Sequence, residues 1–403
     1  MKSNSVLVRP LDALQQFLKT EAASGVLLLL AAVVALVLAN SGLSRAFDHA
    51  VHLPFALGTG TLAIGTTLQH AVNDGLMAIF FLVVGLEIKR EFLTGELSGR
   101  GAAILPVAAA FGGAVVPALL YFAWNAGGPA SHGWGIPMAT DIAFAVGILA
   151  LVGSRVPPAF KVFLTALAVV DDLIAVGVIA IFYAGGLDSR ALALVAAAFA
   201  ALLGLNRARV RVLTPYLAIG VVMWAAMAKS GVHPTVAGVL LAFTLPAEGG
   251  DAAPLRRLER ALHPWVAYLI MPVFALVNTG VTLEQGFVSS VLGSSIGLGI
   301  IVGLFAGKQV GIFGTVFLLA RRGVGNLSID GRNRRYLWGV SLLGGIGFTM
   351  SLFVTGLAFG GEPHFTDTAK AAVLAGSLLS GLAGAAVLAR ASAGTVAASP
   401  APG

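Results

Sequence analysis

Phe163-Leu-Thr-Ala-Leu-Ala-Val-Val-Asp171-Asp172-Leu-Ile-Ala-Val-Gly-Val-Ile-Ala-Ile-Phe-Tyr183 is apolar over its whole length except for two adjacent carboxylates at its centre. A helix needs roughly 20 residues to cross a bilayer, and this stretch supplies them. On insertion scales each ionised Asp at the bilayer centre costs about 2.5–3.5 kcal/mol. A chain that carries two needs a basic partner, a proton, a bound cation or a water-filled cavity. Carboxyls held away from water take up protons at pH values where exposed ones do not. The couple is therefore expected to be occupied in turn by H⁺ and a small metal cation.

The rest of the chain has the same character. Of 403 residues, 58% are hydrophobic and 11% charged, where a soluble domain has about 25% charged; mean hydropathy is +0.92. Lipid admits only helices and closed barrels, and the long runs here do not alternate, so the fold is expected to be an all-α polytopic membrane protein. Cysteine is absent, which excludes disulfides, thiolate metal sites and thiol catalysis. The 51 glycines let helices approach closely and permit breaks. The net charge of +7 is read through its placement along the chain, and no nucleic-acid partner is expected.

Twelve transmembrane helices are predicted, near 22–40, 68–92, 101–125, 137–152, 157–183, 189–205, 212–229, 234–246, 263–283, 293–320, 335–357 and 366–390. Residues 1–390 form a single transporter domain in this reading, opened by an interfacial segment over 1–21. Residues 391–403 are expected to be a disordered tail. The Lys and Arg residues set the orientation. Of the 25, only Arg45, Arg190, Lys229 and Lys370 fall in outer connections and Lys308 falls inside a span; the rest lie on one side. Both termini are expected in the cytoplasm. Within residues 45–67, two β-prone runs flank Gly58-Thr-Gly60. They suggest a small external β-hairpin whose edge is able to pair with a second subunit.

Two spans carry interruptions. The fourth opens Gly135-Ile-Pro137-Met-Ala-Thr140-Asp141, and Thr and Asp favour helix N-caps over helix interiors. The eleventh carries Gly344-Gly345-Ile-Gly347 in its middle, and each glycine weakens a helix by about 1 kcal/mol. Spans 4 and 11 run in opposite directions, as inverted repeats of spans 3–5 and 10–12 (residues 101–183 and 293–390) require. Broken helices at matching positions point to a transporter binding site. Where they cross, the facing N-termini call for an anion, which Asp141 is placed to supply, and the facing C-termini call for a cation. Lys308 lies about 18 Å of helix rise from the nearer end of its span. It either neutralises those C-termini or pairs with Asp171 or Asp172. The two aspartates point about 100° apart on a helix. Asp172 is the preferred ion ligand and Asp171 the preferred partner of Lys308, with Thr140 offering a further oxygen.

These residues resemble the NhaA family of bacterial Na⁺/H⁺ antiporters over about residues 10–390. The most specific stretches are Asn73-Asp74-Gly-Leu-Met-Ala, Gly85-Leu-Glu87-Ile-Lys89-Arg90-Glu91, Pro137-Met-Ala-Thr140-Asp141-Ile-Ala-Phe, Val170-Asp171-Asp172-Leu, Lys229-Ser-Gly-Val-His233 and Gly345-Ile-Gly347-Phe-Thr349-Met. The resemblance implies a protein of the bacterial inner membrane that exports Na⁺ or Li⁺ in exchange for H⁺, with no cofactor and no enzymatic activity. It implies that Asp171 and Asp172 form the ion site, with Asp141 and Lys308 compensating the crossed helix ends. It also implies activation at alkaline pH through Glu87, Arg90, Glu91, Glu259 and His263, with His233 linked to the same response, and a homodimer joined through the external hairpin. Arg260 stands where some members have His. Two carboxylates hold up to two protons but one monovalent cation, so the exchange is expected to move net charge by alternating access. The alternative is a Na⁺- or H⁺-coupled carrier of an organic anion on the same fold, although no basic clamp for such a substrate is evident. An intramembrane aspartyl protease would need its two aspartates on separate helices.

Overall fold

The computed structural model describes residues 21–57, 64–95, 97–152, 156–283, 287–324 and 330–393. The interfacial segment expected over 1–21 and the tail expected over 391–403 lie almost wholly outside them. The chain opens with α1 (Ala23–Ala39), which turns by 118° into the short α2 (Ser44–Val51). Two four-residue strands follow, β1 (Pro54–Leu57) and β2 (Ile64–Thr67). They pair antiparallel with Pro54 opposite Thr67 and Leu57 opposite Ile64. The segment assigned to a hairpin over 45–67 is thus helical at its start. Its first residues, Arg45-Ala-Phe-Asp-His-Ala-Val51, carry one apolar side and one charged side, which favours a helix lying along a surface. The Gly58-Thr-Gly60 turn lies outside the described residues.

Then come α3 (Leu68–Thr94), α4 (Gly101–Asn125), a 3₁₀ stretch Pro129–Met138 leading into α5 (Ile142–Val152), α6 (Pro158–Phe182), α7 (Ser189–Arg207), α8 (Leu213–Ser230) and the ten-residue α9 (Thr235–Thr244). After these run α10 (Pro254–Asn278), α11 (Ser295–Arg321), the pair α12 (Gly331–Leu343) and α13 (Phe348–Phe359), bent by 40°, and α14 (Pro363–Ala393). Nine helices among the described residues are long and apolar enough to cross a membrane, or eleven if each bent pair is one span. The protein is therefore a polytopic helical membrane protein.

Three edges differ from the sequence reading for identifiable reasons. The fourth span starts at Pro129 rather than 137, because its first half is a 3₁₀ stretch opened by a proline at its N-terminus, where the missing N–H costs nothing. The helix expected from 263 begins at Pro254 for the same reason, and its first turns are amphipathic, with Leu255 and Leu258 buried. The eleventh span extends to Gly331 because Asp330 caps it, accepting from the Asn333 N–H at 3.0 Å.

The helices pack through small residues. A Cβ on Gly311 of α11 would run into the carbonyl oxygen of Gly112 on α4, so these two backbones touch. A Cβ on Gly307 would lie 2.8 Å from Pro117 Cα of the same α4. Helix α4 also packs against α6, so it stands between the lysine helix and the aspartate helix. Residues Gly303–Gly307 of α11 form a wide π turn immediately before Lys308. Such turns are frequent at functional sites.

Candidate functional site

The two interrupted spans meet at their breaks. In the first, the backbone is extended at Ala139 (φ −86°, ψ 144°), between the 3₁₀ stretch and α5. In the second, α12 stops at Leu343 and α13 begins at Phe348, leaving Gly344–Gly347 between them. A Cβ on Gly345 would collide with the Leu304 carbonyl oxygen and lie 2.7 Å from Ser380 Oγ, so only glycine fits there. The breaks are held by direct bonds. Thr140 Oγ1 donates to Gly344 O at 2.7 Å, and the Asp141 N–H donates to Ile346 O at 2.7 Å.

Asp141 joins the two half-helix N-termini. Its Oδ1 accepts from the Phe144 N–H at 3.0 Å. Its Oδ2 accepts from the Thr349 N–H at 3.1 Å and from the Thr349 hydroxyl. One carboxylate, 1% exposed, thus serves as N-cap to α5 and to α13. It meets the orphan N–H groups and the positive ends of both helix dipoles together. A third support comes from α14, where Ser377 Oγ accepts from the Phe348 N–H at 3.0 Å.

Lys308 takes one of the two places the sequence left open for it. Its Nζ donates to Asp171 Oδ2 at 2.7 Å, and both side chains are fully buried. At the C-terminal end of α12, the hydrogen bond comes from the Thr140 hydroxyl instead. Thr140 therefore has only an oxygen lone pair to offer an ion. Asp171 and Asp172, adjacent on α6, are 1% and 2% exposed. Asp171 Oδ1 and Asp172 Oδ1 are buried with no hydrogen-bond partner. Buried polar atoms are nearly always satisfied. Two unpaired carboxylate oxygens beside one lysine make a donor set for a hard cation or for protons.

The residues that the family resemblance links to pH response divide into two places. Arg90 joins Glu91 (Nη2–Oε1, 2.8 Å) and Glu259 (Nε–Oε1, 3.0 Å), bringing the end of α3 onto the start of α10. His263 Nε2 stands 3.9 Å from Glu87 Oε1 in the same cluster. Arg260 points elsewhere and meets Asp251. His233 lies near the opposite end of α3, 3.4 Å from Asp74 Oδ1 and 2.8 Å (Nδ1) from Thr235 Oγ1, with its ring edge-on to Phe353.

Cavities approach from both ends of α3. One of about 820 Å³ is lined by Asp48, Asp74, His233, Asn278 and Lys370 among others. One of about 280 Å³ is lined by Glu91, Leu149, Lys161, Thr165 and Ala166 among others. Sequence reasoning passed over several residues here. Lys89 donates to Phe243 O (2.7 Å) and Leu245 O (2.6 Å), capping the C-terminal end of α9. Asn73 and Asn278 bond reciprocally at 2.8 and 3.2 Å, joining α3 to α10. Lys89 stands five residues before Thr94, where α3 ends, and that position near a helix end is its signal in the sequence.

A sequence profile of the family described as Na+/H+ antiporter 1 matches residues 15–388. The Caulobacter vibrioides protein described as Na(+)/H(+) antiporter NhaA is 50% identical over 388 residues, covering 94% of this chain and 91% of that relative. A protein of the same description from Rhodospirillum rubrum is 50% identical over 390 residues, covering 94% and 97%. The one from Vibrio alginolyticus is 46% identical over 381 residues, again covering 94% and 97%.

Proposed function

The chain belongs to the Na⁺/H⁺ antiporter 1 family and is a Na⁺/H⁺ antiporter, a multi-pass protein of the bacterial inner membrane; from that premise we propose that Asp171 and Asp172 are the ion site and that Lys308 and Asp141 govern its charge. The observation that carries this reading is the pair of unpartnered, buried carboxylate oxygens on α6 next to the Lys308–Asp171 bond.

With the site open to the cytoplasm, Na⁺ or Li⁺ displaces protons from the two carboxylates, Asp172 being the main ligand and a Thr140 lone pair an added one. The loaded site then opens outward and external protons displace the cation. When the cation leaves Asp171, Lys308 takes its place. More protons than cations move per cycle, so the exchange carries charge and responds to voltage at about 2.3 kcal/mol per charge per 100 mV.

In this reading the nine long helices, the two bent pairs and the short α9 account for twelve crossings, with inverted repeats over spans 3–5 and 10–12. The connections rich in Lys and Arg face the cytoplasm, so the cavity beside Glu91 is the inner one and the cavity beside Asp74 the outer. Glu87, Arg90, Glu91, Glu259 and His263 tune activation by pH from the inner end, and His233 does so from the outer. The β1–β2 pair joins two subunits edge to edge. The decisive experiment uses everted vesicles. Proton movement on addition of Na⁺ should be present for the unmodified chain and absent for Asp172→Asn. Retained movement in that variant would refute the assignment.

A further inference from the structure

The inner cavity holds two charged side chains, and they are not equivalent. Its wall runs from Val162 and Thr165, both exposed, to Leu149 and Ala166, which are 2% and 3% exposed. Ala166 precedes Asp171 by five residues on α6, about 7.5 Å of helix rise. The negative charge on this wall, Glu91, is ion-paired with Arg90 at 2.8 Å, a guanidinium it shares with Glu259. The positive charge is Lys161, one turn outward from Thr165, whose hydroxyl donates to the Lys161 carbonyl at 3.1 Å. Among the described residues no carboxylate lies within ion-pair distance of the Lys161 ammonium. A cavity leading toward a cation site thus carries on its rim an ammonium with no ion-pair partner among the described residues.

We propose that Lys161 sets the apparent affinity of the transporter for its metal substrate, by repelling every monovalent cation that approaches the carboxylates through the inner cavity. The inference rests on the reading that Asp171 and Asp172 are reached from this end. A unit charge a few ångströms from the path lowers the local cation concentration by a factor set by charge alone. Ion radius and coordination do not enter. The lysine therefore weakens Na⁺ and Li⁺ equally, and salt screens it, since the Debye length falls from about 10 Å at 0.1 M to about 3 Å at 1 M. A ligand of the ion, by contrast, would distinguish the two metals and would withstand screening.

The test measures Na⁺- and Li⁺-driven proton movement in everted vesicles, at low and high choline chloride, for the unmodified chain, Lys161→Gln, Lys161→Arg and Thr165→Lys. Lys161→Gln should lower KM for both metals by one common factor, roughly two- to fivefold, with the change residing in KM rather than in maximal rate. Lys161→Arg should match the unmodified chain. Thr165→Lys, one turn nearer the site, should raise KM. All differences should collapse at high salt. An unchanged KM in Lys161→Gln, a shift shared by Lys161→Arg, unequal factors for Na⁺ and Li⁺, or a shift that survives high salt would each overturn the proposal. Absence of cation-driven movement in the unmodified chain would instead defeat the antiport reading itself.

Discussion

Two groups of charge in this molecule use the same residue types in opposite ways. Between α6 and α11, Asp171, Asp172 and Lys308 share one hydrogen bond and leave two carboxylate oxygens unpaired, all at 2% exposure or less. At the C-terminal end of α3, Arg90 meets two carboxylates at once and His263 stands near a third, with side chains from 10% to 61% exposed. The first group is under-coordinated and fully buried. The second is shared among several partners and partly exposed. Redundancy and partial exposure make the second tolerant of change, while the first depends on each member. A group whose work is to exchange ligands must keep vacant oxygens, and one whose work is to sense or brace need not.

The largest effect should come from Asp171→Asn. It leaves the Lys308 ammonium buried without its counter-charge, and breaking one side of a buried pair costs about 3–5 kcal/mol. Thermal unfolding in detergent should show a large loss, and the double variant Asp171→Asn/Lys308→Gln should recover most of it. A double variant no more stable than the single would break the contrast. Next comes Asp141→Asn. The amide oxygen still caps one helix, but its NH₂ faces a backbone N–H at the other, and the charge shared by two helix dipoles is gone, at about 0.3–1 kcal/mol for each end and up to about 2 in buried geometry. The variant should be measurably less stable and bind Na⁺ more weakly.

Arg90→Gln should cost about 1 kcal/mol or less by the same unfolding measurement, since its ion pairs are partly exposed, while moving the pH profile of activity. An unaltered profile would remove Arg90 from regulation. The smallest effect belongs to His263→Ala. The ring is 61% exposed and 3.9 Å from Glu87, so stability should change by less than about 0.5 kcal/mol. A large change there would show that the Arg90 cluster is as tightly constrained as the Asp171–Lys308 one.

The contrast also explains what could be read from the chain alone. Charges are expensive in lipid, so Asp171, Asp172, Asp141 and Lys308 stood out against apolar runs, and three glycines within Gly344–Gly347 marked a break. The Lys308–Asp171 contact is the preferred pairing in the sequence but stands there beside alternatives, because partners 137 residues apart leave no local pattern. The hydroxyls of Thr349 and Ser377 were passed over for the same reason. Serine and threonine are common in membrane helices, and only the crossing gives these two an N–H or a carboxylate to meet. The 3₁₀ half of the fourth span escaped because Gly, Ser and His in Pro129–Met138 read as a loop until neighbours enclose it. Tyr183 does so, donating to His132 O and accepting from the Gly135 N–H.

The glycine seam between α4 and α11 has a mechanical consequence. Because Gly112 and Gly311 let the two backbones touch, Lys308 rides on a stiff two-helix plank rather than on a lone rod. Shear between that plank and α6 must be felt first at the 2.7 Å link to Asp171. In the proposed cycle a cation arriving at the aspartates loosens that same link. Loading the cargo would then release the catch that keeps the plank still, and the empty carrier would stay latched until a replacement ion arrives.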